Sequence, residues 1–223
     1  MQGIAASIRE RYLQALEQIA VAARSAGRDP ASVRLVVVTK SQPLQVVRAA
    51  IEAGVEILGE NYAEEAVSKI QEAGPRSGVE WHMIGHIQSR KARLVAEHFS
   101  LVHSLDSLKL ARRLDRFAGE LGRRLPVLLE FNVGGEETKS GWNAAEEKGW
   151  EDLLPELDLV STLTNLEVRG VMVMPPISEA PEASRPYFQR ARRLRDFLTH
   201  HLPQSDWSDL SMGTSADFQV AVQ

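Results

Sequence analysis

Short apolar runs alternate with longer helical patterns along most of this chain, and this alternation constrains the fold more than any other feature. Apolar runs of about four to eight residues are typical of buried strands, and apolar residues spaced three and four apart are typical of helices. Strands joined by helices form parallel β-α-β units. The pattern predicts strands at residues 35–40, 55–58, 80–85, 101–104, 126–133, 168–174 and 207–212.

Two parallel architectures contain such units: an open doubly wound sheet and a closed (β/α)8 barrel of the TIM type. The sequence has no Gly-x-Gly-x-x-Gly after the first strand and no Gly-x-x-x-x-Gly-Lys loop, so the common nucleotide-binding sheets lack support. We therefore predict a single α/β barrel domain over residues 1–223, with an extra N-terminal helix at Ile4–Ser25. Because only seven strands are predicted, the barrel is expected to lack its eighth strand within these 223 residues.

The composition argues against several classes of protein. The net charge of -4 gives no general attraction to nucleic acid or to an anionic membrane surface. The chain has no cysteine, which excludes disulfides and thiolate metal sites and favours a cytoplasmic location. No apolar stretch approaches the roughly 18 residues of a membrane span. We therefore expect neither a nucleic-acid nor a membrane partner.

Lys40 is the first candidate functional residue. It ends a β-branched run that predicts a strand buried on both faces, and the carboxyl ends of such strands carry the sites of α/β proteins. Desolvation by apolar neighbours disfavours the ammonium, and a free lysine amine adds to carbonyl groups to form a Schiff base. The alternative, from these residues alone, is a solvated lysine that caps a strand.

His82 and His86 flank the end of the third predicted strand and raise the question of a metal site. The neighbouring sequence does not complete a ligand set around them. Hydrogen-bonded histidines of the barrel are therefore the better interpretation, and no metal is predicted.

Six blocks of the sequence resemble the YggS/PROSC family of pyridoxal phosphate homeostasis proteins, in the same order and with similar spacing. Together they extend over nearly the whole chain. The blocks are Val37–Lys40, Leu58–Tyr62, Trp81–Lys91, Asn132–Gly141, Val168–Pro176 and Leu210–Phe218.

This resemblance implies a fold similar to the barrel domain of alanine racemase, without a second β domain. It implies that pyridoxal 5'-phosphate (PLP) is held as a Schiff base on Lys40. It also implies a monomeric carrier or buffer in intracellular PLP homeostasis, with no established catalysis and with PLP-dependent apo-enzymes as candidate partners.

The remaining candidate residues lie at other strand ends. Asn61 is expected to face the ring of the cofactor, and the alternative is an N-cap of the next helix. Ser211, Gly213 and Thr214 precede a helix, where hydroxyls, backbone amides and the helix dipole would hold the phosphate. The alternative there is a glycine turn with a hydroxyl cap. Met174 is expected to bring its thioether to the cofactor, and the alternative is a filler of the barrel.

The family pattern continues beyond the blocks found here. Relatives have a last helix and an eighth strand of the kind Val-Arg-Ile-Gly-Thr, whose arginine faces the pyridine nitrogen. If these 223 residues are the whole polypeptide, the first and last strands keep unpaired edges. We then expect poor cofactor retention, low stability or strand exchange between chains.

Two enzymatic alternatives stay open. A PLP-dependent enzyme such as an amino-acid racemase needs a second acid or base opposite the cofactor, and the available tyrosines are Tyr12, Tyr62 and Tyr187. An aldolase-type barrel would use Lys40 on a sugar or keto-acid carbonyl and needs partner acids deep in the barrel. Visible absorption by bound PLP separates the aldolase from the other two classes.

Overall fold

The strands of the computed structural model are paired in parallel, and residues 2–74 and 78–223 are described. The strands are β1 (Val37–Val38), β2 (Ile57–Glu60), β3 (Glu80–Met83), β4 (Leu101–Leu105), β5 (Leu125–Asn132), β6 (Trp142–Asn143), β7 (Leu166–Val173) and β8 (Asp209–Ser211). The helices are α1 (Gln2–Ser25), α2 (Leu44–Glu52), α3 (Ala63–Ala73), α4 (Ala92–His98), α5 (Leu108–Glu120), α6 (Leu154–Ser161), α7 (Arg185–His201) and α8 (Phe218–Val222).

The sheet has the topology of a (β/α)8 barrel that stays open along one side. Its strands follow the order β1-β2-β3-β4-β5-β7-β8, and the short β6 pairs with the carboxyl end of β5. Among the described residues, β1 and β8 end this path and do not pair with each other. The seven predicted strands are confirmed in this order, whereas β6 was not predicted from the sequence.

Alternate residues of each strand divide between two layers, because side chains of a strand point to opposite faces. Residues such as Leu58, Met83 and Val171 pack with the helices in the main hydrophobic core. Inside the curved sheet, Leu101 and Leu128 pack with Met172 in a separate cluster. The helices therefore cover the outer face of the sheet, and the inner face remains available for a functional site.

The first strand differs from its prediction. A strand buried on both faces was expected at residues 35–40, but β1 comprises only Val37–Val38, and Val38 is 45% exposed. The reason is that β1 pairs with β2 alone and its other edge borders the open side of the barrel. The expectation of complete burial is therefore wrong.

Helix α1 covers part of this open side. Its residues Ile19, Ala22 and Ala23 pack with Val222 of α8 and with Leu35, which precedes β1. The predicted N-terminal helix is confirmed, and at 24 residues it is long enough to span a membrane but not apolar enough. None of the other helices in the described part of the chain meets both conditions either.

Candidate functional site

Lys40 lies just beyond the carboxyl end of β1, on the strand face that it shares with Val38 by alternation. Its side chain is exposed, so the predicted desolvation by apolar neighbours is wrong. The cause is again the free edge of β1. The amine of Lys40 is accessible to a carbonyl ligand, while the residue before it, Thr39, is buried.

A buried ionic network fixes the backbone on both sides of Lys40. The ammonium of Lys69 donates to the backbone oxygen of Thr39 at 2.8 Å and to Oε1 of Glu60 at 2.8 Å, and the Thr39 hydroxyl donates to the same Glu60 oxygen at 2.7 Å. Lys69 also pairs with Glu65 at 2.6 Å, and Glu65 accepts a hydrogen bond from the amide of Ser41 at 3.0 Å. Ser41 has a φ of +58°, which non-glycine residues rarely adopt. These bonds hold the lysine-bearing turn in a conformation that it would not adopt alone.

Asn61 lies beside Lys40 at the ends of neighbouring strands. Val38 pairs with Gly59, and continuing this parallel register places Lys40 level with Asn61. The Oδ1 atom of Asn61 is buried and lacks a hydrogen-bond partner among the described residues. The N-cap of α3 is Tyr62, so the alternative of an Asn61 cap is wrong. An unpaired buried oxygen next to an accessible amine is a feature that a polar ligand could satisfy.

The turn after β8 contains the predicted phosphate residues. Gly213 has a φ of +89°, and a Cβ atom there would lie 2.9 Å from Cβ of Ala221 and 3.0 Å from Cα of Phe218, so only glycine fits. Thr214 donates to Oδ1 of Asp217 from its amide at 2.6 Å and from its hydroxyl at 2.9 Å. Both donors of Thr214 are therefore engaged in the turn, and a ligand anion would have to displace the Asp217 carboxylate to reach them.

Met174 follows β7 at the same end of the barrel. It is 47% exposed, and the β7–β8 register, continued by two residues, places it level with Gly213. Its backbone oxygen accepts a hydrogen bond of 2.9 Å from the ammonium of Lys139. Met172, two residues earlier, is the barrel filler. The thioether of Met174 is thus accessible at the strand ends.

A cleft of about 1130 Å³ occupies the open side between β1 and β8. Its lining includes Val36 and Val38 on one side and Ser211, Gly213 and Thr214 on the other. Lys40, Asn61 and Met174 lie outside this lining. The predicted residues therefore form two groups on either side of one opening. One group lies at the ends of β1 and β2, and the other at the ends of β7 and β8.

Two histidines fill the inner face next to the cleft. His82 and His103 are hydrogen bonded to each other at 2.9 Å, and His103 is hydrogen bonded to the Ser211 hydroxyl at 2.7 Å. The interpretation of His82 as a hydrogen-bonded histidine is confirmed, whereas His103 was missed, since nothing in its local sequence indicates a partner 108 residues away. Within residues 2–74 and 78–223, no group of three or more His, Cys, Asp or Glu side chains could hold a metal ion.

Glu130 is a further inner-face residue that the sequence did not indicate. Burial, and to a smaller extent the neighbouring Asp106, raise the pKa of its carboxyl to about 7, while His86 and Lys139 act in the opposite direction. Alternation along β5 could have indicated it, because a glutamate between buried apolar residues is unusual.

Comparisons with known proteins place this site in a family. The family model described as "Alanine racemase, N-terminal domain" matches residues 13–221. The pyridoxal phosphate homeostasis protein of Vibrio alginolyticus is 39% identical over 221 residues, covering 97% of this chain and 91% of the relative. The protein of that name from Escherichia coli (strain K12) is 39% identical over 221 residues, covering 96% of this chain and 89% of the relative.

A solved structure extends the comparison to the fold. PipY of Synechococcus elongatus PCC7942, with PLP bound, has a TM-score of 0.78 and 38% identity, covering 92% of each chain. This chain therefore belongs to the family of pyridoxal phosphate homeostasis proteins, whose barrel is that of the alanine racemase N-terminal domain.

The residues present suit the cofactor that the family implies. Lys40 offers an accessible amine, Asn61 a buried oxygen without a partner among the described residues, and Gly213 a stretch of backbone that lines the cleft. Each is a feature that a ligand with an aldehyde, a polar ring and a phosphate can use.

Proposed function

We propose that this chain binds PLP as a Schiff base on Lys40 and acts as a carrier or buffer in PLP homeostasis. The observation that carries the proposal is the position of Lys40. Its amine is accessible, and its flanking peptides are fixed by Lys69 and Glu65. It is also level with the Asn61 oxygen that has no partner in the described part of the chain. The names of the relatives and the PLP-bound structure of PipY support the same assignment.

Each candidate residue has a distinct task in this proposal. Lys40 forms the covalent link, Asn61 contacts the ring, and Met174 packs its thioether against it. Ser211 and Gly213 hold the phosphate with a hydroxyl and a backbone amide, and Thr214 joins them when it releases Asp217. When bound, PLP supplies an aldehyde carbon that amines can attack and a ring that can accept electrons.

No catalytic reaction is part of the proposal. The relatives are named homeostasis proteins rather than enzymes. Of the tyrosines considered as a racemase base, Tyr62 is 57% exposed, and burial raises the pKa of Tyr12 above its usual value. Transfer of PLP to an apo-enzyme is the expected output, measured as recovery of that enzyme's activity after mixing with the loaded chain.

Titration with PLP, followed by visible absorbance, tests this function. We expect the wild-type chain to develop an imine absorption band that Lys40→Arg lacks, because arginine keeps the charge but does not form a Schiff base. Lys148→Arg is the matched control, since Lys148 pairs with Glu146 on the exposed surface. A wild-type chain without a band at saturating PLP would contradict the function, and an unchanged band in Lys40→Arg would contradict the assigned lysine.

Two further properties stay predictions within this proposal. A monomer is expected to give a mass near that of one chain in light scattering coupled to gel filtration. A cytoplasmic location is expected to place the protein in the cytoplasmic fraction of its source cells. A dimer in the first measurement would point to strand exchange across the open edges of β1 and β8.

A further inference from the structure

Gly85, which follows β3, packs against Asn61 with no room for a side chain between them. A Cβ atom at Gly85 would lie 2.5 Å from the backbone oxygen of Asn61, 2.6 Å from its Cα and 2.8 Å from its Cβ. Nonbonded carbon atoms ordinarily approach one another to about 3.5–4.0 Å. Glycine at position 85 therefore allows Asn61 to lie directly against the segment that follows β3.

The close contact is with the backbone of Asn61, so a change of rotamer does not relieve it. With a Cβ atom at position 85, the two backbones would have to separate by about 1 Å to restore ordinary contact distances. A hydrogen bond tolerates a range of only about half an ångström, from roughly 2.7 to 3.2 Å. A displacement of about 1 Å would therefore carry Oδ1 of Asn61 out of range of a ligand group placed to meet it.

Two hydrogen bonds keep Gly85 from moving away from Asn61 instead. The hydroxyl of Ser104 in β4, a residue that is only 1% exposed, donates to the backbone oxygen of Gly85 at 2.6 Å. The amide of Ile84 donates to the backbone oxygen of Glu60 at 2.9 Å and extends the β2–β3 pairing up to Asn61. Gly85 is therefore held from β4 on one side and lies against Asn61 on the other.

These contacts form a line across the strand ends that leads from β4 to the candidate lysine. Ser104 holds Gly85, and Gly85 lies against Asn61. Asn61 is level with Lys40 when the β1–β2 register is continued. Within this line, Oδ1 of Asn61 is a buried atom without a partner in the described part of the chain, so its position matters chiefly for a ligand.

We propose that Ser104 and Gly85 are positioning residues for the cofactor, which set the position of Asn61 against the ring of bound PLP. The inference rests on the proposed function, because it takes Asn61 as a contact of the ring. Ser104 fixes Gly85, and the bare Cα of Gly85 fixes Asn61, so both residues act on the ligand through Asn61. The ring of PLP carries a hydroxyl group, which can donate to an oxygen acceptor such as Oδ1.

A double-variant cycle that combines Gly85→Ala with Asn61→Ala tests the proposal. The probe is 4-deoxypyridoxine 5'-phosphate, which keeps the ring, its hydroxyl and the phosphate but has no aldehyde, so the covalent link to Lys40 does not enter the measured affinity. We expect Gly85→Ala to weaken binding about 3- to 10-fold, as much as the loss of the Asn61 hydrogen bond itself. In the Asn61→Ala background, where this bond is already lost, Gly85→Ala should change the affinity by less than about twofold.

Thermal denaturation of the same four proteins separates positioning from packing. Gly85→Ala should lower the midpoint in both backgrounds, because its Cβ still meets the backbone of residue 61 in each. Only the ligand affinity should be non-additive. Gly119→Ala is the matched control: a Cβ atom there would lie 2.9 Å from Nδ2 of Asn165, which precedes β7 at the opposite end of the strands, and probe binding should stay as in the wild type.

Ser104→Ala provides a second cycle that adds no atom to the protein. Loss of the hydroxyl frees Gly85, and we expect weaker probe binding when Asn61 is present and no further weakening in the Asn61→Ala background. Ser161→Ala is the control for this variant. It removes a hydroxyl of α6 that donates to the backbone oxygen of Leu157 at 3.1 Å, and it should leave probe binding unchanged.

The two cycles decide the inference separately from the proposed function. Losses of affinity that add when Asn61→Ala is combined with either variant would overturn the inference, and so would wild-type affinity in both Gly85→Ala and Ser104→Ala. In either case PLP binding by the wild type stands. A wild-type chain that binds neither PLP nor the probe overturns the proposed function, and this inference with it.

Discussion

The ammonium of Lys69 donates a hydrogen bond of 2.8 Å to the backbone oxygen of Thr39, the residue that precedes Lys40. The same ammonium contacts the fully buried carboxylate of Glu60. A charged pair inside the protein therefore holds the peptide group between Thr39 and Lys40 in place. This relationship makes the proposed lysine site dependent on a residue in α3 that faces away from the cleft.

Replacement of Lys69 by methionine is expected to destabilise the protein strongly. Methionine keeps much of the volume but leaves the Glu60 carboxylate buried without its cation. Removal of one partner of a buried pair costs about 3–5 kcal/mol. Urea denaturation should show this loss, whereas Lys148→Met, at an exposed ion pair, should leave the free energy of unfolding nearly unchanged.

The double variant Lys69→Met with Glu60→Leu separates charge from packing. If the uncompensated carboxylate causes the loss, the double variant should recover a large part of it. A single variant Lys69→Met as stable as the wild type would show that the network does not support the turn.

Replacement of Asn61 by alanine should affect ligand binding more than stability. Its Oδ1 lacks a partner among the described residues, so little hydrogen bonding is lost in the free chain, and we expect a change in unfolding free energy below about 1 kcal/mol. One lost hydrogen bond to PLP should weaken binding about 3- to 10-fold. Asn143→Ala, at an exposed asparagine that caps the Ala145 amide, is the control for affinity. Unaltered PLP affinity in Asn61→Ala would remove this residue from the site.

Gly213→Ala tests the turn after β8 against a matched glycine. Gly54 has nearly the same φ, +88°, but a Cβ atom there meets nothing within 4 Å among the described residues. Gly54→Ala should therefore cost about 1–2 kcal/mol from backbone strain alone. Gly213→Ala should cost clearly more, because its Cβ also meets Ala221 and Phe218, and it should weaken PLP binding. If thermal denaturation shows the same loss of stability in both variants, Ala221 and Phe218 of α8 move away from the new Cβ atom at no cost.

Glu130 should make stability fall as the pH rises. The folded pKa of about 7 lies above the ordinary value of 4.5, so the folded state binds more protons between these values. Stability from this group is complete below about pH 4.5 and is lost as the pH rises toward 7, by up to about 3 kcal/mol. Glu130→Gln should remove that slope in urea denaturation across pH 4–8, while Glu52→Gln should keep it. A wild-type profile that is flat over this range would contradict the burial of the charge.

Much of the barrel could be predicted from the sequence because most strands are recognisable as local runs of apolar residues. The apolar run at residues 126–133 matches β5, and the run at 168–174 matches β7, since both lie inside the sheet with neighbours on each side. The run at 35–40 is also rich in apolar residues, yet β1 is short and Val38 is 45% exposed. Periodicity does not reveal whether a strand has a neighbour on its second edge.

Only part of the candidate site could be predicted from the sequence, because several of its contacts join residues that are far apart along the chain. Lys40 and Asn61 follow strands and could be found by position. The bonds from Lys69 to Thr39 and from His103 to Ser211 join residues that are distant along the chain, so only the folded sheet brings them together. The two-residue β6 lies in a stretch where no strand pattern is long enough to detect.

Peptide mapping after borohydride reduction tests the central claim most directly. The wild-type chain is incubated with PLP, reduced so that the imine becomes a stable secondary amine, and digested before mass spectrometry. We predict the phosphopyridoxyl group on Lys40, with its loss in Lys40→Arg. A label confined to other lysines, such as Lys139 at the strand ends, with Lys40 unmodified, would contradict the account.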